Sequence, residues 1–167
     1  MNKWKKWAKE LAVMAAVVMI GATVMGYLRA PDYKDAVLPP LQAMMLDGST
    51  FDSTAGAKEA YILHFWATWC PVCRAEAGNI DALAKDEKVI TVAVKSGGRQ
   101  EVDAYLKRNG LSFPVINDEE GVIASAYKIG VYPTTIIVDK EGKVFWAESG
   151  YTTTWGLKLR LWLADFF

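Results

Sequence analysis

The chain has 167 residues, with 19 Lys and Arg against 19 Asp and Glu, 1 His, 2 Cys and 7 Trp. That length holds one ordinary domain and an appendage, and the balanced charge excludes the basic stripe that a nucleic-acid surface needs. Both thiols lie in one Cys70-x-x-Cys73; with His64 they fall short of the four ligands of a structural zinc site, and their short loop restrains little as a framework disulfide.

The charge is unevenly spread. Residues 1–10 carry Lys3, Lys5, Lys6 and Lys9 against Glu10, whereas from position 30 onward 14 Lys/Arg meet 18 Asp/Glu, a net of −4. Between them, Leu11–Leu28 is an 18-residue run without charge. As a helix rising about 1.5 Å per residue it spans roughly 27 Å, close to the thickness of a bilayer core. The lysines ahead of it predict a cytoplasmic segment at 1–10, a single transmembrane anchor at 11–28 and an exported remainder. In a bacterium this is an inner-membrane protein facing the periplasm, where disulfides are permitted. Trp4 and Trp7 mark the membrane interface.

A cleaved signal peptide is the competing reading. Its apolar core is usually about 7–15 residues and ends at an A-x-A-like site. Here the run is longer, and Val24-Met25-Gly26 is a poor site. A buried soluble helix fits worse, because the run is apolar on every face. The segment has no cysteine that could carry a lipid.

Residues 29–40 (RAPDYKDAVLPP) read as a linker, since Pro39-Pro40 favours extended chain. The domain then occupies 41–167. Leu41–Leu46, a turn at Asp47-Gly48 and Ser49–Phe51 predict a small hairpin. Tyr61–Trp66 and Val89–Val94 are apolar runs of buried-strand length, and Pro71–Leu83 between them is helical. Gln100–Arg108 is amphipathic and stops at Asn109-Gly110. Phe113–Ile116 is short and extended, and Gly121–Tyr127 is a short helix. Thr134–Val138, a turn at Asp139–Gly142 and Lys143–Glu148 form a hairpin, and Thr154–Ala164 closes as a helix. The order βαβα followed by ββα predicts an α/β domain with a mixed central sheet flanked by helices on both faces. Roughly 130 residues suffice for a core without staples.

Cys70 follows a strand and opens a helix, where unpaired backbone N–H groups and the positive dipole end favour a thiolate. It is therefore the candidate nucleophile. Cys73 stands one turn further on the same face, placed to resolve a mixed disulfide. Pro71 sits where a helix loses nothing by the missing N–H. The chemistry is a redox-active Cys70–Cys73 disulfide, with soft-metal binding as the other use of such a pair.

Phe65-Trp66-Ala67-Thr68-Trp69-Cys70-Pro71-Val72-Cys73 resembles the active-site signature of the thioredoxin superfamily. Gly130-Val131-Tyr132-Pro133-Thr134-Thr135 and the following Ile136–Asp139 resemble its cis-proline loop. The match runs from about position 38 to the C-terminus. Within the superfamily the chain is similar to the membrane-tethered, TlpA-like branch. Its C-P-V-C and its tail, Gly150–Thr153 through Leu159–Leu163, resemble the ScsD group linked to copper tolerance. The cytochrome c maturation thioredoxins are the neighbouring group.

The resemblance implies a thioredoxin fold and a protein disulfide oxidoreductase that needs no cofactor or metal. It implies a cis Pro133 against the cysteine pair, with Tyr132 left free to pair its backbone with substrate; an ordinary trans proline is the plain alternative. Trp69 would shield the disulfide and contact partners, and Trp66 would be core. Glu76 matches a glutamate of the tethered branch, one turn past Cys73, and is a candidate proton carrier for the resolving thiol; the alternative is a surface glutamate. His64 departs from the pattern, because thioredoxins proper have a buried aspartate there. It is either a proton relay or a hydrogen-bonded core histidine. The implied partners are disulfide-bearing periplasmic proteins and a transmembrane electron donor of the DsbD type, with the chain acting as a reductant. A Cu(I) carrier using both thiolates is the rival from a different class.

Overall fold

A computed structural model describes residues 3–29, 33, 38–56 and 59–166. The elements, in order, are α1 (Lys3–Arg29), β1 (Gln42–Met44), β2 (Thr50–Asp52), β3 (Tyr61–Trp66), α2 (Pro71–Leu83), β4 (Val89–Val94), α3 (Arg99–Asn109), β5 (Val115–Asp118), α4 (Val122–Ala126), β6 (Thr134–Val138), β7 (Val144–Ser149) and α5 (Thr154–Phe166). β1 and β2 pair antiparallel as a separate hairpin, and the other strands form one sheet in the order β5-β4-β3-β6-β7.

β3 is the middle strand, parallel to β4 and antiparallel to β6. It, β4 and β6 are buried along their whole length, which is why they read as continuous apolar runs rather than as alternating ones. Successive side chains on β3 go to opposite faces. Ile62 and Trp66 pack with Ala77 and Ile80 of α2, Val102 and Leu106 of α3, and Leu157 and Leu161 of α5. Leu63 and Phe65 pack on the other face with Leu41, Phe51, Ala124 and Tyr127. Helices therefore cover both faces, as expected of the mixed sheet.

Several boundaries differ from the sequence reading. The extended segment expected at 113–116 lies two residues later as β5, because its parallel ladder with β4 runs from Thr91↔Val115 to Val94↔Asp118. Pro114, which has no N–H to donate, stands just outside and accepts from Thr91 through its carbonyl. This strand joins the main sheet as an edge, so the domain runs βαβαβαββα after the hairpin. β7 is shifted one residue later than expected, and α5 continues two residues past Ala164. α3 ends at the expected glycine: Gly110 has φ +63°, and its N–H returns to the carbonyls of Leu106 and Lys107.

Most of the expected linker at 29–40 lies outside the described residues, but Tyr33 and Pro39 within it bond to the domain. The Tyr33 hydroxyl donates to the carbonyl of Tyr127, and the Tyr127 hydroxyl donates to the carbonyl of Pro39 at 2.7 Å. The expected anchor falls within α1, a continuous 27-residue helix. Among the described residues no helix is long and apolar enough to cross a membrane; the side chains at 3, 15, 19, 22, 23 and 26–29 of α1 lie outside the description.

Candidate active site

The C-terminal end of β3 delivers the cysteine pair. Beyond Trp66 the chain turns, the N–H of Cys70 bonds to the carbonyl of Ala67 at 3.2 Å, and Cys70 becomes the N-cap of α2 with Pro71 in the first turn. The N–H of Cys73 donates to Cys70 Sγ at 3.2 Å. One of the orphan donors of the helix start is thus spent on this sulfur, at the positive end of the helix dipole. Both cysteines are free thiols and both are buried.

The turn is tied down from β4. The N–H of Thr68 donates to Ser96 Oγ, and Trp69 Nε1 donates to the carbonyl of Lys95, both at 3.0 Å. Trp69 is nevertheless 56 % exposed, and with Val72 and Val131 it makes an apolar rim around the buried sulfur. Trp66 is buried, with its indole N–H on Thr91 Oγ1 at 3.1 Å.

The loop before β6 forms the opposite wall. The Tyr132–Pro133 peptide bond is cis, and the Cys70 thiol points at the carbonyl oxygen of Tyr132 at 3.6 Å. The Tyr132 ring meets Trp69 edge to face, with centroids 5.7 Å apart. The carbonyl of Pro133 accepts from the N–H of Gly150 at 2.8 Å, so the segment after β7 braces this loop.

Glu76, one turn past Cys73, is fully buried, so the surface alternative does not hold. Its Oε1 accepts two hydrogen bonds from Thr152, one from the backbone N–H at 3.0 Å and one from the hydroxyl. Its Oε2 is buried without a hydrogen-bond partner among the described residues. Burial pushes the carboxyl up to about 7; the two Thr152 bonds oppose that shift and the nearby Glu148 adds to it. Burial also raises the Cys73 thiol well above its ordinary value. Glu148 is itself raised by burial, against the pull of its ion pair with Arg160.

His64 lies on β3, on the α2 side of the sheet, and is buried. Its Nδ1 is 3.0 Å from Thr135 Oγ1, and burial alone holds the ring down to about 3, so it is neutral at physiological pH. No hydrogen bond joins it to either thiol or to Glu76 among those described. Nor do the described residues hold a group of three or more His, Cys, Asp or Glu able to bind a metal ion.

The sequence reading missed three partners, Thr152, Thr135 and Glu148. Thr152 sits in a tail noted only for its family resemblance, and no local pattern ties a threonine to a glutamate 76 residues earlier. Thr135 and Glu148 face each other across the β6–β7 ladder, a register that the sequence alone does not fix.

Residues 28–157 match the family model described as Redoxin. The chain belongs to the Redoxin family. This redoxin is 32 % identical over 167 residues to a thioredoxin-like protein of Haemophilus influenzae, covering 99 % of each chain. It is 27 % identical over 168 residues to the thiol-disulfide oxidoreductase ResA of Geobacillus thermodenitrificans, covering 93 % of this chain and 97 % of that one. The crystal structure of StoA from Bacillus subtilis superposes with a TM-score of 0.66 at 26 % identity, covering 75 % of this chain and 98 % of StoA. With a buried dithiol at a helix N-terminus on a thioredoxin-like sheet, this redoxin is a thiol–disulfide oxidoreductase of the thioredoxin-like class.

Proposed function

We propose that this redoxin is a membrane-anchored reductant of disulfides in exported proteins, working through Cys70 and Cys73. The observation that carries the chemistry is the sulfur of Cys70 at the start of α2, facing the Tyr132 carbonyl, with a buried proton-holding Glu76 one turn beyond Cys73.

Cys70, as thiolate, attacks one sulfur of a substrate disulfide; the S–S bond breaks and the other sulfur leaves as a thiolate. An extended substrate segment pairs with the backbone at Tyr132, whose carbonyl the Cys70 thiol gives up on forming the mixed disulfide, and Trp69 and Val131 cover that disulfide. Burial keeps Cys73 protonated until this stage. Glu76 as carboxylate then takes the Cys73 proton. The Cys73 thiolate attacks Cys70 Sγ, forms the Cys70–Cys73 disulfide and expels the second substrate thiolate, which is protonated. The cysteine pair loses two electrons and the substrate gains them; of the two protons its sulfurs take up, one is the Cys73 proton held on Glu76 and the other comes from solvent, which received the Cys70 proton when that thiolate formed. His64, neutral and bonded to Thr135, serves as a core residue in this sequence of steps.

Support for the anchor is the uncharged run Leu11–Leu28, the lysines ahead of it, and α1 running unbroken through it. On this reading residues 1–10 are cytoplasmic and the domain is periplasmic. Its disulfide is regenerated to the dithiol by a transmembrane dithiol donor of the DsbD type. The resemblance of C-P-V-C and the Gly150–Thr153 tail to the ScsD group supports copper tolerance as the pathway, with cytochrome c maturation as the alternative.

The test is insulin reduction beside a Cu(I) titration of the same dithiol, together with the reduction potential of the pair. Insulin reduction and a potential near about −270 mV support the reductant; a potential near about −120 mV makes the protein an oxidant. Tight stoichiometric Cu(I) binding without disulfide exchange makes it a copper carrier. Extraction of the full chain from membranes by carbonate would refute the anchor.

A further inference from the structure

Every polar group of Thr152 is held by α2. Its N–H and hydroxyl both donate to Glu76 Oε1, and its carbonyl accepts from Asn79 Nδ2 at 3.0 Å. Glu76 and Asn79 are one helical turn apart, so a single face of α2 grips one residue of the segment between β7 and α5. Asn79 also donates to the Tyr151 hydroxyl at 2.9 Å, which fixes the neighbouring residue.

The two oxygens of Glu76 are therefore unequal. A carboxylate oxygen offers about two lone-pair sites. Both sites of Oε1 are occupied by Thr152, while Oε2 is buried with no hydrogen-bond partner among the described residues. A proton arriving at Oε1 would have to displace a Thr152 bond; one arriving at Oε2 displaces nothing. We propose that Thr152 is a positioning residue for proton transfer, fixing Oε1 so that Oε2 alone takes the proton from Cys73 and returns it. This rests on the reading of Glu76 as proton carrier given above.

The titratable and charged groups around Glu76 are few. Cys73 stands on its own helix, Glu148 on β7 is paired with Arg160 of α5, and His64 lies on the sheet face beneath α2. Thr152 is the group that binds the carboxylate directly. Its hydroxyl bond stabilises the charged form, so its loss moves the titration of Glu76 upward. A hydrogen bond to a charged group is worth about one pH unit or more on this scale.

The experiment follows the pH dependence of disulfide exchange between the reduced full chain and dithiodipyridine, for Thr152→Val, Thr152→Ser and Glu76→Gln. Thr152→Val is expected to move the midpoint up by about one pH unit, slowing the resolving step about tenfold at a pH below that midpoint. Thr152→Ser, which keeps the hydroxyl, restores the wild-type profile. Glu76→Gln removes the titration. If it does so while Thr152→Val leaves the midpoint in place, Thr152 only anchors the loop and the proposal fails. If Glu76→Gln leaves the profile unchanged, the proton-carrier reading fails first. Should Thr152→Val not fold, the wild-type chain still decides: the Thr152 amide proton shift must follow the Glu76 midpoint, and a flat shift across it overturns the proposal.

Discussion

The Sγ of Cys70 and the carbonyl oxygen of Tyr132 stand 3.6 Å apart, although 62 residues separate them in the chain. Cys70 caps a helix that follows the central strand, and Tyr132 ends the loop that enters the neighbouring antiparallel strand. The contact is a consequence of β3 and β6 being adjacent. It puts the sulfur against a main-chain acceptor and leaves the rim of Trp69, Val72 and Val131 exposed around it.

Trp69→Ala removes the largest exposed part of that rim and its edge-to-face contact with Tyr132. An aromatic pair of this kind is worth about 0.5–1.5 kcal/mol. KM for a protein disulfide is expected to rise about threefold to tenfold with kcat nearly unchanged. Steady-state insulin reduction measures both.

Cys73→Ser is expected to accumulate mixed disulfides on Cys70, because attack proceeds and resolution does not. Cys70→Ser should trap almost none, since the Cys73 thiol is held protonated by burial. Non-reducing electrophoresis and mass spectrometry of the trapped adducts check this. Equal trapping by both variants would reverse the assignment of nucleophile.

Glu76→Gln keeps the shape of the side chain and removes the base. General-base assistance contributes about 10²-fold or more in favourable cases. With Glu76 near 7, the wild-type resolving rate should climb through neutral pH. The variant should lose that climb and run about tenfold to a hundredfold slower at pH 8. Stopped-flow measurement of mixed-disulfide decay reads the difference.

Two buried groups give stability opposite pH slopes. His64 is depressed from 6.5 to about 3, so the stability it contributes is present above 6.5 and is lost as pH falls toward 3. Glu76 is raised from 4.5 to about 7, so its contribution is present below 4.5 and is lost as pH rises through 7. At 1.36 kcal/mol per unit these amount to at most about 5 and about 3 kcal/mol. Between pH 4.5 and 6.5 the slopes oppose each other. Urea unfolding of Glu76→Gln should therefore show stability rising with pH across that window, and His64→Asn should show it falling. Curves parallel to the wild type would remove the assignment.

Leu157→Ala cuts away a fully buried side chain that packs α5 against the sheet on the α2 side. The expected loss is about 2–5 kcal/mol. The reduction potential should change little, because none of the hydrogen bonds of the Cys70 sulfur or of the Glu76–Thr152 pair involves the Leu157 side chain. Denaturant unfolding and redox equilibration with glutathione check the two halves of this statement.

The sequence by itself determined the strands, the helix that opens at Cys70 and the order of the elements. Continuous apolar runs such as Tyr61–Trp66 have one stable place, the middle of a covered sheet, and Asn109-Gly110 ends α3 through a local backbone preference. A cysteine at the junction of strand and helix was legible for the same reason: the determinants lie within a few residues of each other. The tertiary structure decided the environments. Glu76 looks like any helix glutamate in the sequence, and only the return of the chain at Thr152 makes it a buried, singly anchored carboxyl. His64 is neutral because strands on both sides bury it. The shift of β5 to Val115–Asp118 came from its ladder with β4, a pairing that local propensity does not contain. Burial and cross-strand register are set by residues far apart in the chain, and they place a buried carboxyl one helical turn beyond the Cys70–Cys73 pair.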